Sequence, residues 1–357
     1  AEQCRCALER LPEDERFLRS IVAWILSLAR MAEGSLADAE GALEEVVRRG
    51  QESGNPLIAV AALSQQATVL KRQGRLHQAR EVLERALRAA TDVQGRRLPV
   101  ASEALMGLGE LERERDNLAA AEAYLFEAIN LTGGWSELAA FDAYLPLARV
   151  RLAQGDVDGA RAALETARQL ACRSQATSVD DVVTELQQAC FLIAQGDIAG
   201  AEQWAAARGL VPGGAPRPDA SGPGEDTVVA RMRKYEHQVL ARLLMAQGRP
   251  GEALDVLSPL LLQARELGRV DLVLQVQVLR ALANEAAGRH AAAMEALAEA
   301  LALAEPGDYR RTFLDEGQPM ARLLRQAAAK GLAPAYVARL LAGVGGGGAG
   351  GPAAAER

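Results

Sequence analysis

Glu110, Arg149 and Arg242 are residues of a kind that can hold a ligand, and they share one spacing: each stands six residues before a turn residue, at Asp116, Gly155 and Gly248. A guanidinium presents a planar fork of donors that matches carboxylate or phosphate, and a carboxylate accepts hydrogen bonds from hydroxyls and amines. Met106 and Gln238 lie four residues upstream of Glu110 and Arg242. They add an apolar wall and an amide, the mixture a ligand groove needs.

Catalytic patterns are missing from the chain. It has no G-x-S-x-G elbow, no H-E-x-x-H and no G-x-x-x-x-G-K-[ST] phosphate cradle. Gly343–Gly348 fits G-x-G-x-x-G only trivially, because no strand precedes it. Glu110, Glu112 and Glu114 alternate with Arg113 and Arg115, which reads as a solvated helix face and not as an acid–base pair. His77, His237 and His290 are scattered, Cys4 and Cys6 are one residue apart, and Cys172 and Cys190 lie far away. That is no zinc ligand set, and free thiols in a reducing compartment are expected. The expectation is a binding protein, not an enzyme, with no catalytic residues, no metal and no cofactor of its own.

The formal net charge is −7, and Lys occurs only at Lys71, Lys234 and Lys330. An acidic chain lacks the basic stripe that nucleic-acid binding needs. No apolar run reaches the roughly 18 residues of a membrane span; Ile21–Leu28 is short and leads into Arg30. The opening Ala1-Glu2-Gln3 is not a signal peptide, so a cytoplasmic location is expected. With 49% apolar but only 4% aromatic residues, the composition favours close-packed helices over sheets.

The elements that must position these residues repeat. A turn residue is followed five positions later by Ala seven times: Gly34/Ala39, Gly74/Ala79, Asp116/Ala121, Gly155/Ala160, Gly196/Ala201, Gly248/Ala253 and Gly288/Ala293. The intervals are 40, 42, 39, 41, 52 and 40 residues. A small residue lies seven before each turn, as at Ser27, Gly109 and Ala189, and Leu usually stands nine after it, with Ala205 the exception. One helix ends at the turn, where Gly takes a left-handed cap, and the next begins at once. The small residues at −7 and +5 let the two backbones approach, and the Leu fills the space between neighbouring pairs.

This pattern resembles the tetratricopeptide repeat, with a period near 40 instead of 34 and Leu in place of most of its aromatics. The fold expected is all-α, a right-handed α-solenoid superhelix of about seven helix pairs. Residues 1–16 read as the end of an earlier pair, so the chain is expected to begin inside a solenoid. Residues 17–304 form the seven pairs, 305–342 a closing helical segment and 343–357 a Gly-rich flexible tail. Residues 209–226, rich in Gly and Pro, read as a flexible insertion, either merely tolerated or a lid. The resemblance implies that first helices line the concave side, with positions −10, −6 and −3 facing the groove. That register places Glu110, Arg149, Arg242, Met106 and Gln238 there.

The segment Tyr309-Arg310-Arg311-Thr312-Phe313-Leu314-Asp315-Glu316-Gly317-Gln318-Pro319-Met320 is more specific. It closely resembles the stretch that closes the sensor domain of large LuxR-type, MalT-like regulators, which are signal-transduction ATPases with numerous domains. Ala7-Leu8-Glu9-Arg10-Leu11-Pro12 and Gly54-Asn55-Pro56-Leu57 agree with it. The likeness covers about residues 5–342. It implies a sensor that binds an inducer (a small molecule, sugar or peptide) and so controls self-association and transcription. ATP then belongs to an upstream module and DNA to a C-terminal helix-turn-helix, both absent from this chain. A generic tetratricopeptide-type scaffold for a partner protein is the alternative reading.

Overall fold

The turn residues decide where the helices stop. In the computed structural model, which describes residues 2–12, 15–33, 35–52, 56–132, 136–173, 178–210 and 227–346, each described turn residue has a positive φ: +80° at Gly74, +65° at Asp116, +82° at Gly155, and 72–76° at Gly196, Gly248 and Gly288. At Gly155 the left-handed cap lets its N–H donate to Leu152 O and the Asp156 N–H to Arg151 O, satisfying carbonyls that the helix end leaves open. Asp116 is the one non-glycine in the series, a residue type that tolerates this region.

A lone helix α1 (Glu2–Arg10) precedes seven antiparallel pairs. They are α2 (Arg16–Glu33) with α3 (Leu36–Glu52), α4 (Pro56–Arg72) with α5 (Leu76–Ala89), α6 (Ala101–Glu114) with α7 (Leu118–Thr132), and α8 (Glu137–Gln154) with α9 (Val157–Arg173). Then come α10 (Ser178–Ala194) with α11 (Ile198–Ala207), α12 (Thr227–Ala246) with α13 (Pro250–Glu266), and α14 (Val270–Ala286) with α15 (His290–Ala304). No strand forms among the described residues; one isolated bridge joins Thr91 to Arg97. Consecutive helices pack on one another throughout, which makes an α-solenoid.

The small-residue register is visible as contact. All seven alanines at +5 have 0% exposure. In the third pair, a Cβ on Gly109 would lie 2.8 Å from Leu125 Cγ and 3.2 Å from the Ala121 carbonyl oxygen. The −7, +5 and +9 positions therefore meet at one point, where a larger side chain would overpack.

After α15 a 3-10 turn (Glu305–Gly307) leads to α16 (Arg311–Leu314), α17 (Gly317–Ala329) and α18 (Pro334–Gly346). Helix α18 thus runs four residues into the stretch expected to be a flexible tail. The reason is packing: a Cβ on Gly343 would lie 2.9 Å from Leu314 Cδ1, so the helix stays seated by lacking one. Residues 347–357 of that tail and 211–226 of the expected insertion lie outside the described residues.

The ends of the solenoid meet. Leu43, Leu83, Leu108, Leu297, Phe313 and Tyr336 belong to one apolar core that joins pairs one to three with pair seven and the closing helices. Pairs four and five pack in smaller local clusters. The elements in contact across the junction are first helices and the closing segment: α4 touches α14, and α6 touches α16. The chain therefore curls with its first helices inward, and the closing segment crosses the interior.

Candidate ligand-binding site

Four first helices bring polar groups into that interior, and three of them bring charges. Helix α6 carries Glu110, Arg113 and Glu114, α8 carries Arg149, α10 carries Cys190 and α12 carries Arg242. The closing segment meets them with Thr312, Asp315 and Glu316. Arg242 donates to Glu316 from Nη2 at 2.6 Å and from Nε at 3.2 Å. Arg113 pairs with Asp315, and Lys71 of α4 pairs with Glu110. Thr312 donates to one Glu114 oxygen twice, from its N–H at 2.9 Å and its hydroxyl at 2.8 Å, while the Arg310 N–H donates to the Glu114 carbonyl at 2.8 Å. Arg311 bridges Asp315 and Asp116. Tyr336 donates to the Tyr309 carbonyl and ties α18 to the start of the segment.

Electrostatics show that these groups share one space. Burial pushes the Glu110 carboxyl up, but Lys71, Arg149 and Arg113 outweigh it and hold it below the usual range. Asp315 is likewise pushed up by burial and brought lower overall by Arg113, Arg311 and Arg149. At Glu114 burial wins and the carboxyl is raised. Burial raises the Cys190 thiol against the opposing charges of Arg242 and Arg149. Burial disfavours the Arg242 cation, yet Glu316 raises it overall. Arg149 is held lower, first by the like charge of Arg113 and then by burial.

Of the five residues expected in the groove, the structure brings Glu110, Arg149 and Arg242 into this interior and places the other two otherwise. Met106 is half-buried and packs against two clusters, one containing Ala128 and Ala143 and the other Leu125 and Leu147, among helices of adjacent pairs. Gln238 is buried, and its amide nitrogen has no hydrogen-bond partner. The −10 position is the reason. It lies three residues before the small −7 position and so leans toward the packed helix face. Leu145, Leu186 and Val278, at the same position in other pairs, are buried too. The contribution of Asp315 and Glu316 escaped sequence reasoning: both were in view, but no spacing rule folds residue 315 back onto residue 113.

No group of three His, Cys, Asp or Glu suited to a metal ion occurs among the described residues, and no described helix is long and apolar enough to cross a membrane.

The family model described as the MalT-like TPR region matches residues 1–330. Among solved structures, the chain is similar to the crystal structure of Rap protein complexed with Competence and Sporulation Factor. The two share 13% sequence identity and a TM-score of 0.57 over 91% of this chain and 97% of that one. At that identity the likeness is one of fold. No curated protein matches the chain.

Proposed function

The chain belongs to the MalT-like TPR region family, and on that premise we propose that it is the effector-sensing domain of a LuxR-type transcriptional regulator. In this reading an inducer, a small molecule, sugar or peptide, enters the concave interior against α6, α8 and α12. The change is passed to ATPase and DNA-binding modules outside this chain, and it governs their self-association. The observation that carries the reading is the closing segment itself. Thr312, Asp315 and Glu316 already occupy the interior through charge-assisted contacts, so an effector entering there competes with, or braces, a segment at the domain's end. The Rap protein, a solenoid of the same fold, was solved complexed with Competence and Sporulation Factor, which supports reading this architecture as a receptor for a regulatory ligand.

The test is a thermal-shift screen of sugars, peptides and metabolites, followed by calorimetry of the best ligand on wild type and on Arg149→Ala/Arg242→Ala. Each lost charge-assisted contact is worth about 1.5–3 kcal/mol, so the double variant is expected to bind at least tenfold more weakly. Wild-type affinity in a folded double variant removes the interior from consideration.

A further inference from the structure

Lys71, Arg113 and Arg242 each have a carboxylate in contact: Glu110, Asp315 and Glu316. Arg149 has none. Among the described residues its side chain has no carboxylate in direct contact, although it is half-buried and stands in the same interior. The surrounding field sharpens this. Its strongest electrostatic neighbour is a second cation, Arg113, and Glu110, Asp315 and Glu114 do not cancel that repulsion together with burial. Arg242 and Arg311, in the same interior, are instead stabilised as cations by their carboxylate neighbours. Arg149 thus feels the carboxylates of Glu110, Asp315 and Glu114 only at a distance, and a half-desolvated guanidinium without a carboxylate in direct contact is retained where something else can supply one.

We propose that Arg149 is the anchor of an oxyanion site, and that the effector carries a carboxylate or phosphate which pairs with Arg149 between α6, α10 and α12. A planar, bidentate partner suits the guanidinium better than a neutral hydroxyl does. Because Asp315 and Glu316 supply carboxylates to the flanking Arg113 and Arg242, the incoming anion is the missing member of a row of cation–carboxylate pairs. This inference rests on the effector-binding reading of the interior and narrows its ligand class.

The experiment follows the thermal unfolding of wild type, Arg149→Gln and Arg149→Lys in titrations of inorganic phosphate and of succinate, at ionic strength matched with chloride. Wild type is expected to be stabilised by at least one of the two anions beyond the chloride control, and which one tells phosphate from carboxylate. Arg149→Gln is expected to lose affinity tenfold or more, equivalent to about 1.4 kcal/mol, while Arg149→Lys keeps part of the response. Without added anion, Arg149→Gln is expected to melt at or above the wild-type temperature, since it removes the repulsion between Arg149 and Arg113. No response of wild type to either anion, an equal response in Arg149→Gln, or a lower melting point of that variant without anion overturns the proposal. The two levels separate cleanly. If neutral ligands bind through α6, α8 and α12 while both anions are ignored, the anion class falls and the sensor reading stands; if nothing binds the interior, both fall.

Discussion

Phe313→Ala is expected to destabilise the protein by about 3–5 kcal/mol, the range for emptying a buried aromatic site. Phe313 has 0% exposure and stacks edge-on against Tyr336, with ring centroids 6.2 Å apart and planes at 85°. It lies in the core that joins the first three pairs to the seventh, so its loss acts on both ends of the solenoid at once. Truncation leaves a cavity under the segment that carries Asp315 and Glu316, and Arg113 and Arg242 lose the support for their carboxylates. Chemical denaturation measures the loss, and limited proteolysis is expected to cut first within residues 309–316. A change below about 1 kcal/mol would show that the closing segment is not seated in the core.

Gly74→Ala is expected to cost about 2–5 kcal/mol, from two separable sources. The φ of +80° at Gly74 disfavours any residue with a Cβ by about 1–2 kcal/mol. The added Cβ would also lie 2.8 Å from Val270 Cγ1 of α14, nearly two hundred residues away in sequence, and overpacking of that kind adds about 1–3 kcal/mol. Gly155→Ala is the internal control: its φ is +82°, but nothing lies within 4 Å of the added Cβ. The difference in unfolding free energy between the two variants isolates the contact of pair two with pair seven. Equal losses would mean that the solenoid does not close on itself.

How much was legible in the sequence depended on the range of the interaction. The helix pairs follow from local rules: a left-handed turn residue, Ala five after it and a small residue seven before it dictate where two backbones touch. The observed α7 (Leu118–Thr132) and α15 (His290–Ala304) begin and end where that register puts them. The inward row at −6 also follows, because Glu110, Arg149, Cys190 and Arg242 occupy equivalent places on successive first helices. Met106 and Gln238 were misplaced because −10 lies between the groove row and the packing row, and the burial of its equivalents is settled by the neighbouring pair. The closing segment could be recognised but not positioned. Its docking depends on the summed curvature of seven pairs, which small changes at each pair–pair contact accumulate, and no window of sequence carries that sum. The same is true of α18, whose glycines read as a linker until Gly343 meets Leu314.

The central claim is that an effector acts inside the curled solenoid, on first helices and closing segment together. Hydrogen exchange with and without the ligand that most raises the melting temperature addresses it directly. The account predicts altered protection in residues 309–316 and in α6, α8 and α12, with the second helices α7, α9 and α13 unchanged. Ligand-dependent protection confined to those second helices or to α1 and α2, with the closing segment unaffected, would contradict it.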